Sequence, residues 1–302
     1  MKQGEDMRFK LMLAAIASLL MIAGAQAQDG ARAFFPVPAG TNDIDLTATF
    51  SQLETSTSVI NSAVFTPSYR HTFDLGGDAA TFLIGLPVGT VSGTLFGVLD
   101  VDAPVAQGDL FVGGTIGLLG APALTPMAYA QNPVGLSVSL STKLFLPTGA
   151  YDSNNYVSLG QNRWSLQASL PISYVLGGSL LDPQLTTLEL VPSVQVFGDN
   201  PDSPKSHAVT SQAPIFGLEG HVTHNFNPAV WAALDAYAQA GGETTIGGFA
   251  QGNAEQSLSL GATLGFSLAP SVAVRLNYQE QVYSSISGND SRRFMATSAF
   301  LF

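Results

Sequence analysis

The chain has no cysteine in its 302 residues, so neither a disulfide nor a thiolate metal site is open to it. Charge is sparse: Asp, Glu, Lys and Arg make up 11% of the residues, with 11 basic against 22 acidic. A net charge of −11 without a basic patch sets aside nucleic-acid binding. After the amino-terminal leader no apolar run approaches the roughly 18 residues needed for a membrane-crossing helix. The signatures of catalysis are missing as well. There is no Gly-rich phosphate loop, no His-Glu-x-x-His and no nucleophile elbow, and nothing calls for a cofactor. Of the four histidines, His71, His207, His221 and His224, only His221 has an acid on the same strand face, Glu219. That spacing fits a metal ligand pair or a plain hydrogen bond, and no metal is expected.

What is present begins with a secretory leader. Arg8 and Lys10 precede the 13-residue apolar run Leu11–Ala23, and Ala25-Gln-Ala27 supplies small residues for cleavage before Gln28. Glu5 and Asp6 are unusual at the front of a leader, which makes Met7 an alternative start to Met1. Removal of residues 1–27 leaves 8 basic and 20 acidic residues in a single expected domain, 28–302. Ala31–Thr41 is broken by Pro36 and Pro38, and lies either in the periplasm or in the interior of the fold.

From Ile44 onward, apolar residues alternate with polar ones. The clearest stretch runs from Val134 to Leu176. Leu136, Val138, Leu140, Leu144 and Leu146 alternate with Ser137, Ser139, Ser141 and Lys143. After a loop rich in Pro, Gly, Asn and Asp, Trp164, Leu166, Ala168, Leu170, Ile172, Tyr174 and Leu176 alternate with Arg163, Ser165, Gln167, Ser169 and Ser173. A period of two is a β-strand with one greasy and one polar face. Runs of about 10 residues suit a strand tilted across a bilayer.

Twelve such runs are read: Ile44–Phe50, Ala63–Leu75, Ala80–Leu86, Leu110–Leu118, Val134–Leu146, Trp164–Leu176, Leu188–Val196, Phe216–Phe226, Val230–Ala238, Leu258–Leu268, Val272–Tyr278 and Phe294–Phe302. Connections after even-numbered runs are mostly short, and Ala121–Pro133 breaks the pattern. Those after odd-numbered runs, such as Pro87–Asp109 and Pro147–Arg163, are long. An even count with this alternation predicts an all-β fold, a closed antiparallel transmembrane β-barrel of about 12 strands. Short periplasmic turns and long extracellular loops would join them. Aromatic residues in the apolar phase at strand ends, Phe50, Trp164, Tyr174, Phe216 and Phe226 among them, fit the girdles at a membrane interface.

The phase also sorts the charges. Asp45, Arg70, Asp74, Lys143, Glu189, Glu219, Asp235, Arg275 and Arg293 fall opposite the apolar positions. On the lipid face a Lys or Arg at the midplane would cost about 2–4 kcal/mol. Arg70, Lys143, Glu189, Glu219, His221, Asp235 and Arg275 are therefore candidates for lumen residues that select solutes, or for ion pairs that brace the wall. Phe111, Phe145, Trp231 and Tyr237 share the inward phase and are candidates for an apolar track, or for packing against an inserted segment. Small Ser, Thr, Gly and Ala residues occupy most other inward positions. Twelve strands predict a narrow conduit, since eight are filled by their own side chains and sixteen hold an aqueous channel.

Leu146-Pro-Thr-Gly-Ala-Tyr151, Gly160-Gln-Asn-Arg-Trp-Ser165, Pro171-Ile-Ser-Tyr174 and Leu181-Asp182 resemble the MetA-pathway of phenol degradation family. Val230-Trp231, Asp235 and Gly241-Gly242 match it further downstream. The resemblance implies an outer-membrane barrel that passes aromatic or other hydrophobic compounds, without fixing the solute. The expected function is a passive outer-membrane channel, not an enzyme. Its partners would be outer-membrane lipids and a small solute, with the barrel assembly machinery reading the terminal aromatics Phe300 and Phe302. A lipid hydrolase using the outward His71 and a structural or adhesive surface barrel are the alternatives.

Overall fold

The computed structural model describes residues 28–131 and 135–302; the leader, both candidate starts and Val134 lie outside the described residues. In chain order the strands are β1 (Asn42–Glu54), β2 (Val59–Leu75), β3 (Asp78–Gly85), β4 (Val88–Leu95), β5 (Leu99–Gln107) and β6 (Phe111–Leu119). A short helix, α1 (Pro126–Gln131), precedes β7 (Leu136–Phe145), β8 (Ser165–Ser169), β9 (Ile172–Leu176) and β10 (Thr186–Phe197). Then come β11 (Thr210–Gln212), β12 (Ile215–Asn227), β13 (Val230–Gly241), β14 (Thr244–Ile246) and β15 (Phe249–Ala250). The last three are β16 (Glu255–Ala269), β17 (Val272–Ser284) and β18 (Asp290–Leu301).

The sheet closes because β1 pairs antiparallel with β2 on one side and with β18 on the other. Asn42 and Phe302 exchange backbone bonds of 2.8 and 2.9 Å at the periplasmic end of that seam. Going round, the order is β1, β18, β17, β16, β13, β12, β10, then β8 with β9, then β7, β6, β3 and β2. With β8 and β9 as two halves of one strand, this is the expected 12-stranded antiparallel barrel. The break between the halves falls at Leu170-Pro171, where proline lacks a donor. Leu170 N–H still donates to Pro192 O, and Ser139 N–H to Pro171 O, both at 2.9 Å, so the wall stays sealed.

The stretch Pro87–Asp109, expected to be a long loop, is a hairpin instead. β2 pairs with β3 through its periplasmic half and with β4 through its outer half, and β4 pairs with β5. The tip is Phe96-Gly97, both with positive φ (55° and 68°), as a tight hairpin turn requires. The usual Asn-Gly signal is missing there, which hides the turn in the sequence. Ile60, Val91, Leu95, Ala103 and Val157 form a small buried cluster beneath it. A second departure is the three-stranded sheet of β11, β14 and β15 among the outer loops.

The alternation sets the two faces. Leu166 is 42% exposed on the outer surface, whereas its neighbour Gln167 is 2% exposed in the interior. Trp164, Phe50 and Phe216 lie outward near the outer strand ends, and Tyr174, Phe226 and Phe302 near the periplasmic ends. Asp74, grouped by phase with the lumen charges, instead sits at the β2–β3 turn and accepts the Gly77 N–H at 2.6 Å. It follows the strand alternation but lies beyond the wall's interior.

Candidate functional site

The interior is shaped by the segment before β1. Pro36 O accepts the hydroxyl of Tyr129 on α1 at 3.1 Å, and Ala39 N–H donates to Leu124 O at 2.8 Å. Phe35 packs on Val175, Leu180 and Leu185 at the periplasmic end. The described part of the long Ala121–Pro133 connection thus holds the base of this segment, which accounts for its length on the short-turn side. From there residues 35–28 run back up inside the barrel. Of the two placements open for Ala31–Thr41, the lumen holds its first residues.

The contacts of the segment are spread around the wall. Asp29 pairs with Lys143 on β7. The Asp29 and Gly30 N–H groups donate to Glu219 on β12, at 3.0 and 3.1 Å. Arg32 N–H donates to Glu189 on β10 at 2.9 Å, and its Nε to Thr223 at 2.9 Å. Arg70 on β2 donates to Ala33 O at 3.2 Å, and Arg275 on β17 to Ala31 O at 3.3 Å. Gln28 Oε1 accepts from Gln279 and Arg293, both at 2.9 Å. Backbone N–H groups meet the wall's carboxylates and backbone carbonyls meet its guanidinium groups, so much of the segment's polar backbone is bonded to charged partners.

Five of the seven lumen charge candidates, Arg70, Lys143, Glu189, Glu219 and Arg275, touch this segment. The other two, His221 and Asp235, bond each other at 2.7 Å through Nδ1, with His221 Nε2 3.4 Å from Glu219. Thr263 and Asn277 donate to the other Asp235 oxygen at 2.6 and 3.1 Å. Among the described residues no cluster of acids, histidines and cysteines is arranged to hold a metal ion. Arg70 also pairs with Asp43 and Asp45 at 2.5 and 2.7 Å.

Of the apolar track candidates, Phe111 and Trp231 line the main cavity. Phe145 is buried against Phe111, ring centroids 5.7 Å apart, and Tyr237 packs edge-on to His221 at 5.5 Å. Trp231 lies flat under the Arg32 guanidinium, 4.4 Å from its ring. A Cβ on Gly265 would stand 2.0 Å from the indole, so only glycine leaves room for it.

The outer mouth is roofed by residues 146–163, the region that carries most of the resemblance. Asp109 accepts the N–H groups of Gly149 and Gln161 at 2.9 and 2.8 Å. Burial nevertheless holds its carboxyl above the usual range. Gly149 and Gly160 touch backbone to backbone: a Cβ on either would stand within 2.7 Å of the other's main chain. Arg163 lies over the Phe197 ring at 4.7 Å and donates to Gln161 and Gln212. Burial lowers its pKa to about 10. The motif residues therefore fix the loop, and Tyr151 and Tyr156–Gln161 are turned into the cavity.

That cavity, about 550 Å³, has lining from the outer loop to the periplasmic connection at Gly120–Leu124. Its wall is one-sided. β1, β2, β3, β6, β7, β17 and β18 contribute rows of Ser, Thr and Ala with Val64, Leu83, Phe111 and Met295, while β8, β9, β10 and β12 contribute nothing. On that second side Gln167, Ser169, Thr187, Gln195, Glu219, His221 and Thr223 are buried. Sequence phase places both sets inward but cannot separate them. The cause of the difference, residues 28–35, has no periodicity to read.

The family model described as MetA-pathway of phenol degradation matches residues 41–285. The chain belongs to this family. Among solved structures it is similar to the COG4313 outer membrane channel from Pseudomonas putida F1. That likeness has 19% identity and a TM-score of 0.73, over 88% of this chain and 97% of the other. The transport unit of the autotransporter AIDA-I from Escherichia coli follows at 10% identity and TM-score 0.50, over 95% and 97%. No curated protein matches. At these identities the structural likeness speaks for the fold: an outer-membrane β-barrel.

Proposed function

We propose that the chain is a passive outer-membrane channel for small hydrophobic or aromatic solutes, which pass along the open wall beside the seated amino-terminal segment. The observation that carries this is the cavity reaching from the outer loop to the periplasmic connection with Phe111, Trp231, Val64, Leu83 and Met295 on its lining. A cavity of roughly 150 Å³ suffices to take up benzene, so about 550 Å³ is ample for one ring. Hydroxyl-bearing walls let such a solute slide without deep wells, as conduction requires.

The reading includes export behind a cleaved leader and insertion by the barrel assembly machinery through Phe300 and Phe302, both on the outer face. It does not include catalysis. His71 bonds Asn42 at 3.0 Å and stacks on Phe73, an interfacial setting without a serine partner among the described residues. The test is uptake of a labelled neutral monoaromatic by cells with an intact outer membrane, with and without the protein. Faster uptake with the protein is expected; equal rates would overturn the proposal.

A further inference from the structure

Every lumen carboxylate that faces the segment or the open wall has a donor. Asp29 has Lys143, Asp45 has Arg70, Glu189 has the Arg32 N–H, Glu219 has the Asp29 and Gly30 N–H groups, and Asp235 has His221. The cations are not matched in the same way. Arg70, Lys143 and Arg275 have acids, and Arg32 lies over Trp231 and beside Phe35. Arg293 has neither. It is 8% exposed and lines the main cavity. Among the described residues it forms no ion pair, and its one bond is from Nη1 to the neutral Gln28 Oε1. A guanidinium carries five N–H donors, so most of its capacity is unspent.

Its neighbours are set by strand register. Gln279 on β17, Arg293 on β18, Ser51 on β1 and Ser62 on β2 stand opposite one another in successive strands, and Val91 on β4 continues the row. Ser51 and Ser62 line the cavity, and neither hydroxyl has a hydrogen-bond partner among the described residues. Toward the periplasm the next row carries Met295, Thr49 and Val64. From the outer side the loop brings Tyr156, Val157 and Leu159 into the same cavity. One buried cation and two free hydroxyls therefore share a level, with apolar surface above and below.

We infer that Arg293, Ser51 and Ser62 form a binding subsite for the carboxylate of a monocarboxylic acid whose body is aromatic or otherwise apolar. A carboxylate offers two acceptor oxygens that fit the guanidinium fork and can take a hydroxyl donor besides. The apolar body lies against Val64, Val91, Val157 and Met295. This rests on the channel reading and narrows it: the conduit handles the ionised acids of its apolar solutes as well as the neutral compounds.

The test is calorimetric titration of the detergent-solubilised full-length mature protein with benzoate and, as a neutral probe of like size, benzyl alcohol. Benzoate is expected to bind more tightly by about tenfold, the difference between a charge-assisted and a neutral hydrogen bond. Arg293→Gln should remove that preference while leaving benzyl alcohol binding in place, and the double variant Ser51→Ala, Ser62→Ala should reduce it. Because Arg293 also holds Gln28, Gln28→Ala serves as the control: it cuts that bond, keeps the charge and should keep the preference. Equal binding of the two probes, or a preference that survives Arg293→Gln, would overturn the inference. Failure of the channel reading looks different: no uptake of the neutral solute, with benzoate still bound through Arg293.

Discussion

The two sides of the lumen are built from the same strand pattern and end in different states. Along β8, β10 and β12 the inward side chains are packed against the amino-terminal segment and bonded to it or to each other. Along β17, β18, β1 and β2 many residues of similar size and polarity line the cavity. Composition does not make the difference, since Ser and Thr recur on both sides. One short segment, seated off-centre, converts half of a polar interior into core and leaves the other half as a passage. A barrel wall thus becomes rigid or conductive according to what lies against it.

The largest contrast is expected from cutting a buried network on the packed side. His221→Ala would take the imidazole from between Asp235 and Glu219 and leave both carboxylates to neutral donors alone, and breaking such a buried pair costs about 3–5 kcal/mol. Arg70→Gln, on the open side, leaves Asp43 and Asp45 on the cavity lining, with Arg275 still 3.8 Å from Asp45. Urea unfolding of the barrel, followed by its heat-modifiable band, should show a much larger loss for His221→Ala. Equal losses would mean that the two walls are packed alike.

Added bulk sharpens the same contrast. Ser169→Trp on the packed side is an overpacking change, worth about 1–3 kcal/mol of stability. Thr66→Trp points into the cavity and should leave stability unchanged while slowing uptake of a neutral monoaromatic. If Thr66→Trp left uptake untouched, the passage would run elsewhere.

A smaller effect is expected at the roof. With its pKa raised by burial under the closed loop, Asp109 holds its proton more tightly there than in an open loop. Protonation therefore favours closure, and that gain is lost as pH rises through the raised value. Channel conductance should fall on acidification through the raised value of this carboxyl, and Asp109→Asn should flatten the profile. A steeper fall in the variant would reverse this assignment.

Much of the fold was legible in the sequence because it follows from a period of two. Leu166 and Gln167 sort themselves by phase, and the twelve runs map onto the twelve barrel strands. The β4–β5 hairpin escaped because Phe96-Gly97 is not a usual turn pair, although Val91, Leu95, Val101 and Ala103 alternate on either side. The inward charges were legible as inward. What they face was not: Asp29, Gly30 and Arg32 lie in a stretch without strand periodicity, whose placement depends on long-range pairing with Lys143, Glu219 and Glu189. The loop residues Gly149, Gly160 and Arg163 were legible as a family motif, but their work is steric and structural at the mouth.

Passage of solutes beside a segment that stays seated is the central claim, and the absence of native cysteine allows a direct test. Asp29→Cys and Lys143→Cys, which replace a contacting pair, can be bridged by a short bifunctional thiol reagent, and uptake of a neutral monoaromatic measured before and after bridging. Uptake should be retained with the segment locked to β7. Loss of uptake on bridging, with full uptake in the same variant left unbridged, would show that the segment must leave the lumen for the channel to conduct.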